Sequence, residues 1–148
     1  MALNMSGEYV LPLKRAEVWK ALNDPAILKQ CIPGCESLEM VSSTEFTAVA
    51  KLEAGPVKAR FKGRVKLEDL VPPESYKIVG EGEGGVAGFA KGNAAVTLAE
   101  VSEGTKLTYI AEANVGGKIA QLGQRLLSGT AKKTADKFFS NFAKALSK

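Results

Sequence analysis

The amino-acid sequence predicts an α+β fold in which a curved, seven-stranded antiparallel sheet grips one long C-terminal helix, with two short helices after the first strand. Three observations carry that expectation. Apolar residues at helical spacing appear only near the start and at the end of the chain. Between them, hydrophobic alternation with a period of two runs for about 80 residues, and short Gly, Pro or Ser links between the runs favour antiparallel neighbours. A length of 148 residues with 45% hydrophobic composition fits one domain, 1–148, around a single core.

Each element has its own signal. "SGEYVL" (6–11) alternates as a short strand, and "KRAEVWKALN" (14–23) sets Val18, Trp19 and Leu22 at helical spacing. Asp24 is placed to cap a second helix with Pro25 at its first position, so "PAILKQC" reads as a short helix stopped by Pro33-Gly34. Pro then Gly at the centre of that turn predicts type II. Six further strands follow at about 36–42, 45–54, 57–69, 75–83, 89–100 and 105–115. The clearest is "VKARFKGRVKL", which puts Val57, Ala59, Phe61, Gly63, Val65 and Leu67 on one face and Lys58, Arg60, Lys62, Arg64 and Lys66 on the other. The remainder, from Gly117 to Leu146, reads as one helix roughly 45 Å long, with an apolar stripe that drifts as if the helix bends near Gly123 or Gly129.

The inferred inner face of the sheet is rich in small residues: Ala48, Ala50, Ala59, Gly63, Gly80, Gly82, Gly92, Ala94, Ala111 and Ala113. Two readings follow, an apolar ligand cavity or close packing of the helix. Alternate turns of a meander share one rim. That rim would hold "CIPGC", "AGPV", "GGVAG" and "VGGK", almost uncharged, against polar or Pro turns on the opposite one. The expected mouth is therefore Cys31, Pro33, Gly34 and Cys35 on one lip, with Gly55, Gly84, Gly85, Gly116 and Gly117 on the others.

Several chemistries are excluded or disfavoured. The chain has no histidine, which removes Ser-His-Asp, Cys-His and HExxH sites, and two cysteines cannot complete a tetrahedral zinc site, so no metal or covalent cofactor is expected. Free thiols are expected at Cys31 and Cys35. "GEGEGG" (80–85) matches G-x-G-x-x-G, but Glu81 and Glu83 would repel a pyrophosphate and a strand follows where a helix N-terminus is needed. The run Lys58, Arg60, Lys62, Arg64 and Lys66 lacks interleaved aromatics, which disfavours nucleic acid and leaves a solvated face, a partner or an anionic surface. Residues 118–148 hold seven Lys/Arg against one acid, whereas residues 1–117 hold thirteen against fifteen. No apolar run approaches a membrane span and no leader pattern opens the chain, so a cytoplasmic location is expected, with peripheral contact at the inner face of the membrane.

"WKALNDP", "CIPGCESLE", "VKARFKGRVKLEDL", "GGVAGFAKGNA", "VGGKIAQLGQRLL" and "KFFSNFA" resemble, in order and over nearly the whole length, the CoxG family of carbon monoxide dehydrogenase subunits, within the START-like, or SRPBCC, superfamily. The resemblance implies the helix-grip fold of START and Bet v 1 proteins with an apolar cavity. It also implies a non-catalytic accessory of a molybdenum hydroxylase of the carbon monoxide dehydrogenase type, linked to membrane recruitment and to quinone binding. Members often continue past the helix into a linker and a membrane-attaching tail, whereas this sequence ends at Lys148. The expected ligand is a non-covalent quinone or similar lipid, held by Leu28, Ile32, Phe61, Val86, Tyr109, Ile119, Leu122 and Leu126, with the Tyr109 hydroxyl donating to a carbonyl. The alternatives are a docking module with a filled core, and a superfamily cyclase or hydrolase using Glu81 or Glu112.

Overall fold

Strand alternation and turn chemistry set the architecture of the chain, whose residues 1–146 are described by a computed structural model. β1 (Ala2–Leu11) is followed by α1 (Arg15–Leu22) and α2 (Pro25–Cys31). Then come β2 (Cys35–Met40), β3 (Glu45–Ala54), β4 (Val57–Val71), β5 (Ser75–Glu83), β6 (Phe89–Val101) and β7 (Gly104–Gly116). All pairings are antiparallel, in the order β1-β7-β6-β5-β4-β3-β2. This is the expected helix-grip architecture, and β1 begins four residues earlier than the alternation suggests.

Local signals act as expected around the short helices. The Asp24 carboxylate accepts from the Ala26 amide at 2.9 Å, capping α2 with Pro25 in its first turn. The Cys35 amide donates to the Ile32 carbonyl at 3.2 Å while Gly34 takes φ +75°, which is the type II turn that Pro33-Gly34 predicts.

The C-terminal helix differs from the sequence expectation. It is not continuous from Gly117: a 3₁₀ turn covers Lys118–Leu122, and α3 proper spans Gln124–Leu146, about 35 Å. Gly123 separates them at φ +92°, a left-handed conformation that interrupts the helix instead of bending it.

Two buried clusters hold the helix against the sheet. The larger joins Val18, Leu22 and Cys31 to Leu67, Tyr76, Val96, Leu98, Leu107, Tyr109 and Phe142. The smaller lies at the other end of the sheet and comprises Leu3, Ala54, Ala87, Val115, Ile119 and Leu127. Trp19 meets Tyr76 edge to face at 5.2 Å, and Phe139 stacks on Tyr9 at 4.2 Å. Phe142 is wholly buried in the larger cluster. We expect Phe142→Ala to lower unfolding free energy by about 3–5 kcal/mol in a urea titration.

Candidate functional site

The register places the small residues together. Gly63 lies opposite Gly82, Gly80 opposite Gly92, Gly92 opposite Ala113, and Ala94 opposite Ala111. Because side chains alternate faces, all ten small positions fall on the same face as Phe46, Tyr76, Val96 and Tyr109, which are buried under the helices. Most belong to neither cluster; they form a band between the two. A Cβ built on Gly63, Gly80 or Gly82 comes near only atoms of neighbouring strands, with no helix atom within 4 Å. Close approach of α3 therefore does not explain these glycines, and the inner apolar residues Met5, Leu38, Phe61, Val65 and Ile78 are only half-buried around the same space.

The aromatic end of this space is polar at one edge. Tyr9 donates to the Asp136 carboxylate at 2.5 Å, and the Tyr109 ring lies across Gly7, where any Cβ would come within 2.7 Å of it. Burial, then the bond to Asp136, pushes the Tyr9 pKa well above the ordinary tyrosine range, and burial alone does the same to Tyr76. Tyr109 is 9% exposed and stacked with Tyr9 and Phe139, so its ring forms part of the wall under α3.

The glycine rim closes on itself. The Gly84 amide donates to the Gly88 carbonyl at 2.8 Å, a Cβ on Gly88 would collide with the Gly116 carbonyl oxygen, and one on Gly117 would lie 2.5 Å from the Gly88 Cα. Glycine is thus required at Gly88 and Gly117 for two turns to touch. Beneath them Ala87 and Ile119 are buried, while Leu126 reaches the turn at Gly55, 3.2 Å from a Cβ built there. Gly85 stands open beside them, and Phe89 packs its ring on Gly116.

The remaining residues that the sequence singles out are more dispersed. Phe61 lies over Gly84 and borders the smaller cluster with Leu122, whereas Leu28 borders the larger and Ile32 ends α2. Val86 points away from the interior at 91% exposure, and Leu126 is 37% exposed. Cys31 is buried, Cys35 is half-buried and its thiol donates to the Ser37 carbonyl at 3.3 Å; both are free, and burial raises both thiol pKa values. Periodicity does not point to Phe139, which sits beside the helix stripe, or to Met5, which precedes the stretch of β1 where alternation is clear.

The outer face does not carry a simple basic stripe. Arg60 meets Glu36 at 2.6 Å and Arg64 meets Glu45 at 3.3 Å, while Lys58 lies opposite Glu53, Lys62 opposite Glu83 and Lys66 opposite Glu45. The hydrogen bond from Arg60 holds the Glu36 carboxyl below its usual pKa. An open trough of about 650 Å³ on this face is lined by Lys62, Arg64 and Lys91 together with Glu39, Glu81 and Glu83, so its charges are matched. Glu81 and Glu112 both face outward and are exposed. The opposite rim is less polar than its turns suggest, because Met40, Val41, Leu70 and Val71 are exposed beside them. Among the described residues no His/Cys/Asp/Glu group could hold a metal, and no helix is long and apolar enough to cross a membrane.

A seven-stranded antiparallel sheet packed against one long C-terminal helix, with two short helices after its first strand, defines a helix-grip protein of the START-like/SRPBCC, or Bet v 1-like, class. Within that class the chain belongs to the CoxG family of carbon monoxide dehydrogenase subunits, which it matches over residues 7–147. A conserved protein from Geobacillus kaustophilus is 36% identical, covers 99% of this chain and 95% of its own, and superposes with a TM-score of 0.89. Ara h 8.0201 has the same fold at 17% identity, with full coverage of both chains and a TM-score of 0.68. The Zhui aromatase/cyclase from Streptomyces sp. R1128 does so at 10% identity over 98% and 93% of the two chains, with a TM-score of 0.69. No curated protein sequence matches significantly. CoxG is a family of accessory subunits, and family and fold together fit a ligand-binding accessory protein.

The two tyrosines with raised pKa and the glycine rim can each be tested. Tyr9 and Tyr76 keep their protons in the folded state at a pH where the unfolded chain releases them, so their contribution to stability is intact below about pH 10 and falls as pH rises above it. Urea midpoints should drop on that alkaline limb, and Tyr76→Phe should flatten the drop. Gly88→Ala, which drives a methyl group into the Gly116 carbonyl at φ +117°, should cost more than about 1 kcal/mol and speed amide exchange in the 84–88 and 116–122 segments.

Proposed function

We propose that this protein is a non-catalytic accessory of a molybdenum hydroxylase of the carbon monoxide dehydrogenase type, holding a quinone or similar isoprenoid lipid between the sheet and α3 and assisting recruitment of its partner to the membrane. The observation that carries the ligand is the band of glycine and alanine at Gly63, Gly80, Gly82, Gly92, Ala94 and Ala113, where the glycines of β4 and β5 have no helix atom within reach of a Cβ. Family membership supports the partner.

In this reading the ring of the ligand lies near the glycine turns and the apolar tail runs beneath α3 toward the aromatic end. Ile119, Leu122 and Phe61 would contact the ring end. Each large apolar side chain buried against the ligand contributes about 1.5–3 kcal/mol. Tyr109, in the aromatic wall at the other end, would border the tail in this orientation. Glu81 and Glu112 take no part, since both face away from the space.

The test is native mass spectrometry of freshly purified protein, followed by organic extraction and identification of what is released. Near one quinone or lipid per chain is expected; protein that is empty and also refuses added quinones would favour a docking module without ligand. Gly80→Leu projects a side chain into the unfilled band without backbone strain, and Leu122→Glu places charge beside it. Both should remain folded and lose ligand by more than tenfold. A folded Gly80→Leu protein with unchanged ligand content would remove the cavity reading.

A further inference from the structure

We propose that the solvent face of α3 is an electrostatic docking surface for a bilayer bearing anionic phospholipid headgroups. The inference deepens the membrane-recruitment part of the proposed function and rests on that reading for its purpose; the surface itself is read from charge and exposure.

Arg125, Lys132, Lys133, Lys137 and Lys144 are all exposed on α3. At 100° per residue they fall within an arc of about 140° and extend over about 29 Å. Asp136 is the only acid on the helix, and its carboxylate already accepts from Tyr9 at 2.5 Å and lies 3.9 Å from Lys132. Among the described residues no carboxylate lies within 4.0 Å of Arg125, Lys133, Lys137 or Lys144. The contrast with β4 is one of local balance. Among the described residues Lys58, Lys62 and Lys66 also make no ion pair within 4.0 Å, but they lie opposite Glu53, Glu83 and Glu45, and Arg60 pairs with Glu36, whereas α3 sets five cations against one acid. The unmatched positive charge of the chain therefore collects on the helix.

The composition of that face selects the occupant. Phe138, Phe139 and Phe142 all turn inward to the larger cluster, which leaves Leu126 as the one large apolar side chain exposed on α3 among the described residues. A tight protein interface needs buried aromatic or aliphatic anchors at its centre, and the stripe offers none there. An anionic membrane needs only basic residues near its surface, each raising partitioning about fivefold. Leu126 sits at the N-terminal end of the stripe against the Gly55 turn, so a helix lying on the bilayer brings the glycine rim to the headgroups.

Flotation of the full chain with vesicles tests this, comparing pure phosphatidylcholine with an equimolar phosphatidylcholine–phosphatidylglycerol mixture at low and high salt. The wild type should bind only the anionic vesicles, and high salt should release it. Lys132→Glu/Lys133→Glu/Lys137→Glu should lower binding on the order of 100-fold. The charge-matched control Lys58→Glu/Lys62→Glu/Lys66→Glu should stay within about threefold of wild type on the same scale. If the first variant fails to fold, Lys133→Gln/Lys137→Gln should still give a loss of about tenfold or more. Equal losses in both triple variants would overturn the proposal by reducing the effect to net charge. A wild type that ignores anionic vesicles at low salt would also overturn it, and would leave the stripe to an acidic protein face. Ligand content extracted from the same proteins without vesicles reads the carrier function separately, so a failure of either claim is seen on its own.

Discussion

The structure depends on how α3 is supported. It is held at its C-terminal end by Phe138, Phe139 and Phe142 against tyrosines of β1 and β7, and at its N-terminal end by Leu127 against Ala54, Ala87 and Ile119. Between these supports the sheet presents glycine and alanine. Large aromatic side chains at one end keep the helix away from the sheet where the side chains are small, as a wedge keeps two plates apart. Cores normally fill to near crystalline density. Here the large apolar side chains are concentrated at the two ends, and the middle carries the small ones.

The same division explains which features can be read from the sequence. Strand alternation is a local property, so the inner positions of β3 to β7 and the small residues among them are legible one strand at a time. The short helix with Asp24 and Pro25 and the turn at Pro33-Gly34 are legible for the same reason. The break at Gly123 is harder to see, because the apolar spacing continues through Ile119, Leu122 and Leu126 and only the backbone conformation interrupts it. Val86 looks like a lip residue by position in the chain; its direction depends on the short 3₁₀ turn Gly85–Ala87, which alternation does not resolve.

Charge shows most clearly what a single strand cannot tell. Five basic residues along β4 look like a positive surface until the register sets Glu36, Glu45, Glu53 and Glu83 beside them. Cross-strand pairs of opposite charge stabilise a sheet face, and these contribute there, partly screened by solvent. The helix has no neighbouring strand to answer its lysines. The charge count along the sequence already places the excess on residues 118–148, and the folded neighbourhood agrees with it by setting acids beside the run on β4.

A core divided in two also has a consequence for cooperativity. The cluster under the glycine turns is small, built on alanine, valine, isoleucine and leucine, and connected to the rest through a band that contributes little packing. Local opening is cheapest where few apolar contacts must be lost. Opening the end formed by Ala87, Ile119 and Leu127 therefore costs less than opening the aromatic end. A ligand that spans both ends would join the two halves into one unit that unfolds together.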